Sequence, residues 1–319
     1  MSPLPLPLPL PLFVAFGDAL TDLVEQSGAV WRSHNGGAPW KVARSMSGLG
    51  VARAFGGGIS DCPFGDSLLL AGRAAGLDER FIQRFADRPP LLAFVHQTQP
   101  PAYVFVGDHS ADLHFDPALL PAGWRSAVRW PLFGGISLAR EPLASRLVGL
   151  ATQLKAAGVN ICVDPNHRNL MDRRYDTTLR QMCALADVIK VSTQDLQGLF
   201  RSADTDRGLA QLRAGARPGA RLMLTHGADG ARLFAGSEQW QATPPPIVFA
   251  DSIGAGDASV AGLLHSLIVF PDQSPQHHLR RAVAAGAAAC TVTGAACVTE
   301  AQLSLLLPTV TVVQTLGRR

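Results

Sequence analysis

The segment Asp251-Ser252-Ile253-Gly254-Ala255-Gly256-Asp257 holds the residue types and spacing best suited to chemistry. The apolar run Ile247–Phe249 before it reads as a strand, and Asp251 to Gly256 as a tight loop. From Asp257 onward, Val260, Leu263, Leu264, Leu267 and Ile268 keep the i, i+3, i+4, i+7, i+8 spacing of a helix, which Pro271 ends. A strand, a glycine loop and a helix start together turn free N–H groups and the helix dipole toward a bound anion. The loop is not a dinucleotide fingerprint, because the third glycine is missing, and it is not a Walker loop, because no Lys-Ser/Thr follows. Instead a carboxylate, Asp257, sits in the first helical turn, where a resting phosphate would be repelled. Phosphoryl transfer could use both features: the N–H groups of the loop would stabilise the transferring group while Asp257 accepts the proton of the attacking hydroxyl. Alternatively Asp257 only caps the helix, a role worth about 0.5–2 kcal/mol. Both readings stand on this segment alone.

The elements that must position such a loop alternate along most of the chain. Leu12–Phe16, Val51–Phe55, Val159–Val163, Val188–Val191 and Leu222–Thr225 read as strands, with Gly56-Gly57-Gly58 breaking the second. Trp40–Leu49, Phe64–Ala75 and Leu143–Ala157 read as helices that stop at Gly50, Gly76 and Gly158, and Leu279–Cys290 follows a Ser274-Pro275 start. This alternation predicts an α/β fold of βαβ units, a mostly parallel sheet with helices on both faces. Leu91–His96 and Tyr103–Val106, joined by QTQPPA with no helix between them, predict an antiparallel excursion, to which Asp112–Phe115 adds a third strand. A small β flap over a pocket would fit.

Composition excludes several classes. The chain has 319 residues, 47% hydrophobic and 17% charged, enough to bury a large core. Lys+Arg 28 against Asp+Glu 25 gives +3, too balanced for a nucleic-acid binder, and no nucleic-acid partner is expected. The five cysteines lack metal or redox spacing and read as small buried hydrophobes, and His277-His278 reads as a solvated helix start. Residues 1–12, with proline at every second position from Pro3 to Pro11, predict a low-complexity extended tail. No stretch approaches the roughly 18 apolar residues of a membrane span, so a cytoplasmic protein without a membrane partner is expected.

DSIGAGD resembles the C-terminal signature of the PfkB/ribokinase family of carbohydrate kinases, usually written D-T-x-G-A-G-D. The other family marks follow in order: AFGDALTDLVE, NGGAPWKVARSMSGLGVARAFGGGISDCPFGD, VDPNHR, VSTQDL in the place of N-x-x-E, and LTHGADGA in the place of T-x-G-x-x-G. The match runs from about Phe13 to the C-terminal region, so residues 13–319 are expected to form one kinase domain. The resemblance implies a ribokinase-like doubly wound fold with a β lid drawn from about residues 18–38 and 91–116. It implies Asp257 as catalytic base and the N–H groups of Gly254, Ala255, Gly256 and Asp257 as anion hole. Asp22, Gly36 and Gly37 would orient the sugar, with Lys41, Arg168 and Asp112 as further substrate contacts. Thr225, Gly227 and Gly230 would line the nucleotide side, and Ala285 and Ala289 the adenine pocket. Asp195 would hold Mg²⁺ through water, and Asp251 would help bind a monovalent cation, K⁺, through the loop backbone. The implied cosubstrate is ATP, and the expected reaction is phosphorylation of D-fructose to fructose 6-phosphate. A homodimer through the lid, with Tyr103, Phe105 and Val106 as an apolar edge, stands beside a monomer.

Three departures from the family pattern bear on the substrate. Lys41 stands where G-G-A-P-W-N has Asn, replacing a donor–acceptor with a cationic donor. Its ammonium would face a phosphate, a different substrate or solvent. The place of N-x-x-E reads Ser192-x-x-Asp195, one methylene shorter, a gap that a water on Mg²⁺ could fill. In the lid, YVFVGDHSADLHF has Gly107 where an Arg often sits, and offers Asp108 and Asp112, which argues for a neutral sugar. Arg168 and Lys41 argue instead for an acidic one, such as 2-keto-3-deoxygluconate; Arg168 would clamp a phosphate or carboxylate, or simply form a salt bridge at a strand end. A non-catalytic sugar- or nucleotide-binding paralogue is the rival from a different class. The intact loop and Asp257 speak against it.

Overall fold

The structure, a computed structural model, describes residues 9–96, 102–295 and 297–315. The strands among them are β1 (Phe13–Phe16), β2 (Leu20–Ser27), β3 (Val30–Gly36), β4 (Arg53–Ser60), β5 (Ile82–Phe85), β6 (Leu92–His96) and β7 (Ala102–Val106). They continue with β8 (Trp130–Gly134), β9 (Cys162–Asp164), β10 (Val188–Ser192), β11 (Arg221–Thr225), β12 (Ala231–Ala235), β13 (Glu238–Thr243) and β14 (Thr311–Thr315). The helices are α1 (Ala38–Ser45), α2 (Pro63–Ala74), α3 (Trp124–Ala127), α4 (Leu143–Ala156), α5 (Tyr175–Leu185), α6 (Thr193–Phe200), α7 (Thr205–Gly215), α8 (Ala255–Val269), α9 (Pro275–Ala289) and α10 (Glu300–Leu306).

Ten of these strands form one sheet in the order β14-β13-β12-β11-β10-β9-β8-β1-β4-β5. Pairing is parallel from β11 through to β5 and antiparallel from β11 out to β14. Both faces of the sheet are covered, as the near-continuous apolar strands require. Along β1, Phe13 and Ala15 enter one core cluster with Trp40, Met46, Leu263 and Leu264, while Val14 and Phe16 enter the other with Phe133, Leu147 and Val163. Period-two alternation thus feeds both cores from a single strand. On the first face α8 and α9 approach closely: a Cβ at Gly262 would stand 2.6 Å from that of Ala285.

A smaller four-stranded sheet, β3-β2-β6-β7, is built from the residues after β1 and from the run around residue 100. Its β2–β6 pair is parallel and its outer pairs are antiparallel.

Several expectations are corrected. Gly56-Gly57-Gly58 does not break a strand but lies within β4, because neighbours fill the space side chains would need. A Cβ at Gly56 would stand 2.4 Å from the Phe16 ring, and one at Gly58 2.5 Å from the Ala111 carbonyl oxygen. Asp112–Phe115 is no third strand: Ala111–His114 is a single 3-10 turn that packs Phe115 into the core. Ile247–Phe249 takes no regular structure; Pro244-Pro245-Pro246 removes three donors and Val248 and Phe249 lie exposed. His278 is buried rather than solvated, sharing a 2.8 Å hydrogen bond with Ser266 Oγ. Only Cys162 and Cys183 are buried; Cys62, Cys290 and Cys297 are half-buried. The expected tail falls mostly on residues 1–8, outside the described residues, and Leu10 and Leu12 within it pack against the core.

Candidate active site

The main sheet's parallel strands end on one side, where Asp18 follows β1, Gly135 follows β8 and Asp164 closes β9. Crevices at this edge are where open α/β sheets bind ligands. A cleft at this edge, open to solvent and spanning about 450 Å³ including that open space, is lined by Asp18, Asp22, Gly37, Lys41, Arg168 and Asp257 together with Tyr103 and Phe105 of β7. Five of the residues singled out in the sequence therefore meet in one place: Asp22, Gly37, Lys41, Arg168 and Asp257.

Asp257 is the third residue of α8 and is buried at 8% exposure. The N-cap is Gly254, at φ 81, and no side chain makes a cap hydrogen bond. The capping reading of Asp257 therefore fails, and its carboxylate is left to the cleft. Burial pushes Asp257 above the ordinary carboxylate value, against the pull of Lys41, Lys190 and Arg168. That is the direction a general base needs. The first-turn N–H groups of Gly256 and Asp257 have no acceptor within the helix. The Ala255 N–H, in contrast, donates to the Ser252 carbonyl at 3.2 Å, so it is already engaged.

Asp22 lies on β2, opposite His34 of β3. Gly36 backs it, since a Cβ there would stand 2.3 Å from Asp22 Oδ2; Gly37, at φ 99, leaves room for the Asp18 carbonyl, 2.2 Å from where its Cβ would be. The glycine pair is thus required by close approach and by backbone conformation. Burial raises the Asp22 pKa, with Lys41 and Arg168 opposing. Lys41 Nζ stands 3.7 Å from Asp22 Oδ2, both side chains 18% exposed, so the lysine faces the cleft and not solvent. Arg168 lies 5.0 Å above the Tyr103 ring and donates to the His167 carbonyl at 2.8 Å. Asn169 Nδ2 donates to the Tyr103 carbonyl at 3.0 Å, which ties the smaller sheet down over the cleft.

Other expected site residues lie elsewhere. Asp112 does not line this cleft: its carboxylate is buried, ion-paired to Arg140 and accepting from Ser110 Oγ at 2.5 Å. Arg140 also donates to the Gly107 carbonyl, so a guanidinium from the main body fills the place that Gly107 leaves empty in the lid. Ala285 and Ala289 are buried in the core at 1% and 2% exposure, apart from the cleft. Thr225 ends β11 with Gly227 exposed beyond it, while Gly230 is a buried turn residue with φ 90. Tyr103 and Phe105 stack on each other facing the cleft, so the outward apolar face of β7 is Val104 and Val106.

Asp195 has a structural task beside the metal role that its motif implies. With Ser192 it forms a capping box on α6: Asp195 N–H donates to Ser192 Oγ at 3.0 Å and Ser192 N–H to Asp195 Oδ2 at 2.7 Å. Its Oδ1 accepts from His167 N–H at 2.8 Å. Asp251 also holds backbone, accepting from Ile253 N–H at 2.9 Å and Gly294 N–H at 3.0 Å.

Asp18, Asp164 and Lys190 were not singled out from the sequence. Lys190 of β10 is buried, 3.3 Å from Asp164 Oδ2 at the end of β9, and a Cβ on Gly256 would stand 3.5 Å from its ammonium. A buried cation therefore underlies the glycine loop. Burial alone would lower the Lys190 pKa, but Asp164, Asp195 and Asp257 together raise it. Asp164 is pushed up to about 6 by burial, with Lys190 opposing. The sequence signal was a charge inside the apolar run Val188-Ile189-Lys190-Val191, which demands a buried partner.

A resident metal can be tested against these donors. Among the described residues no three His, Cys, Asp or Glu gather into a metal cage. Asp164 Oδ2 has the Lys190 ammonium 3.3 Å away as its ion-pair partner but accepts no well-aligned hydrogen bond, and a carboxylate oxygen such as Asp195 Oδ1 has room for a second donor. The pair therefore fits a hydrated divalent ion carried by a nucleotide, held through water.

No helix among the described residues is long and apolar enough to cross a membrane. A family model for the pfkB family carbohydrate kinases matches residues 12–301. The chain is 31% identical over 288 residues to a fructokinase of Klebsiella pneumoniae, covering 88% of this chain and 93% of that protein. Among solved structures, fructokinase with bound ATP from Xylella fastidiosa matches with TM-score 0.84 at 26% identity, covering 94% of this chain and 99% of that one. Fructokinase from Vibrio cholerae in a fructose-, ADP- and calcium-bound form matches with TM-score 0.80 at 27% identity, covering 92% and 98%.

Proposed function

Because the chain belongs to the pfkB family of carbohydrate kinases, we propose that its reaction is the ATP-dependent phosphorylation of D-fructose to fructose 6-phosphate. The observation that carries this reading is the meeting of Asp257, Asp22, Gly37, Lys41 and Arg168 in one cleft under the smaller sheet. The sugar lies against Asp22, and Asp257 takes the proton of the attacking hydroxyl. The hydroxyl oxygen bonds to the γ-phosphorus of ATP as the bond to the β–γ bridging oxygen breaks, and ADP leaves with that electron pair. The Gly256 and Asp257 N–H groups face the transferring group, with Lys190 beneath them. The protein's contribution is mainly positioning and charge. A positioned base contributes about 10²–10⁴-fold.

Mg²⁺ bound to the nucleotide supplies charge neutralisation at the phosphates, with Asp164 and Asp195 as its water-mediated neighbours. K⁺ belongs to the same reading at the loop that Asp251 holds to Gly294. Val104 and Val106, exposed on β7, support a homodimer through the smaller sheet.

One observation favours a second substrate, 2-keto-3-deoxygluconate: Lys41 and Arg168 both line the cleft. Against it, Lys41 is already met by Asp22, Arg168 is stacked on Tyr103, and three carboxylates share the lining. The test is ATP consumption with Mg²⁺ and K⁺ over fructose, ribose, glucose, 2-keto-3-deoxygluconate and several ketoses. Fructose as the best substrate is the expected result. The acidic sugar as best substrate would replace it, with Lys41 and Arg168 as its carboxylate partners.

A further inference from the structure

Asp18 follows β1 directly, four residues before Asp22, and lines the same cleft. It is 3% exposed, and its Oδ1 has no hydrogen-bond partner. The surrounding backbone makes room for this oxygen. Gly135 takes φ 68, and a Cβ there would stand 2.0 Å from Asp18 Oδ1. Burial, with Asp112 nearby, pushes the Asp18 pKa up to about 6, while the backbone N–H groups of Asp18 and Ser137 and the charge of Arg168 pull it down. Asp112 cannot turn to Asp18's unmet oxygen, because Arg140 and Ser110 already hold it. A buried carboxylate oxygen with no donor is costly unless something absent from the free protein completes it.

We propose that Asp18 is a second sugar-holding carboxylate, its Oδ1 accepting a hydrogen bond from a substrate hydroxyl different from the one held by Asp22. This inference rests on the sugar-kinase reading and deepens it. A donor is what the oxygen lacks, and a neutral polyol brings donors. A carboxylate or phosphate at that end of the substrate brings only acceptors and like charge. Asp18 therefore selects for a hydroxyl over an anionic group at the inner end of the cleft.

The experiment pairs Asp18→Asn with a series of monodeoxy fructose analogues, measuring kcat and KM, and sugar binding by calorimetry in the presence of a non-hydrolysable ATP analogue. Asp18→Asn is expected to weaken fructose about tenfold or more, mainly in KM, as loss of a charge-assisted hydrogen bond does. One deoxy analogue should lose a similar factor with the wild-type enzyme and lose nothing further with Asp18→Asn. Losses that multiply for every analogue, or an unchanged fructose KM, would make Asp18 a strut for its loop and overturn the proposal. Should Asp18→Asn not fold, a crystal structure of the wild-type protein with fructose and the ATP analogue decides. A sugar oxygen within hydrogen-bond distance of Oδ1 is expected, and a water or nothing there overturns the proposal. If the wild-type enzyme phosphorylates no sugar, the kinase reading fails by itself. Calorimetry then judges Asp18 separately, and absent or unaltered sugar binding overturns its role.

Discussion

Replacing Lys41 by methionine should move the acid limb of kcat to higher pH. Lys41 heads the charged groups that oppose the burial of Asp257, ahead of Lys190 and Arg168. The same ammonium stands 3.7 Å from Asp22, where Coulomb's law gives about 4.5 kcal/mol at an effective dielectric of 20 and about 1.1 kcal/mol in bulk water. With both side chains partly exposed, the screened end of that range applies to the Asp22 pair, and Asp257 feels the same charge across the cleft. The sign follows from the charge. An ammonium favours the ionised carboxylate, so removing it raises the Asp257 pKa further. A base must be ionised to accept a proton, so the rate falls off at higher pH in Lys41→Met than in wild type. The assay is kcat from pH 4.5 to 8.5 at saturating ATP and sugar, with Lys41→Arg as the charge-retaining control. An upward shift of the acid limb in Lys41→Met, and little in Lys41→Arg, is expected. An acid limb that stays in place or moves down in the folded Lys41→Met enzyme would refute the coupling.

Arg140→Met should cost about 3–5 kcal/mol in urea unfolding, because it strands the buried Asp112 charge; adding Asp112→Asn should recover part of that loss. His278 gives a pH signature of opposite origin. Burial lowers its pKa from 6.5 to about 4, so between those values the unfolded chain takes up a proton that the folded chain refuses. Its contribution is fully present above pH 6.5 and is lost as pH falls toward 4. Thermal unfolding of wild type and His278→Gln over that range should therefore show the variant losing stability less steeply, and parallel slopes would contradict the assignment. Comparing the two proteins cancels Asp18 and Asp164, whose raised values near 6 act in the other direction.

What the sequence reveals here is what local pattern encodes. The apolar run of β1, the glycine stops after helices and the glycine loop before α8 all depend on neighbours along the chain and are found close to where spacing places them, although α8 begins at Ala255, two residues before the expected start at Asp257. Of the smaller sheet, only β6 and β7 are legible as strand-like runs without an intervening helix; β2 and β3 rest on the family resemblance, and Asp112–Phe115 is no strand. What stayed hidden depends on partners distant in sequence. Lys190 pairs with Asp164 and Arg140 with Asp112 across the fold, and no local pattern says which acid a buried cation will meet. Gly56 to Gly58 read as a breaker because the Phe16 ring and Ala111 carbonyl that exclude a side chain belong to other elements. Ser192-x-x-Asp195 carries a capping-box pattern and a metal-site pattern at once; the structure shows the cap, and the metal role belongs to the proposed function. For Lys41 the sequence allows phosphate, substrate or solvent alike, because its contact with Asp22 exists only once α1 and β2 come together.

The most direct measurement is the turnover of Asp257→Ala beside wild type, on the sugar the wild-type enzyme uses best, with Mg²⁺ and saturating ATP. If Asp257 is the base, kcat falls at least about a hundredfold while the sugar KM changes much less. An Asp257→Ala enzyme turning over at near the wild-type rate would contradict base catalysis from α8 and with it the mechanism built on this cleft.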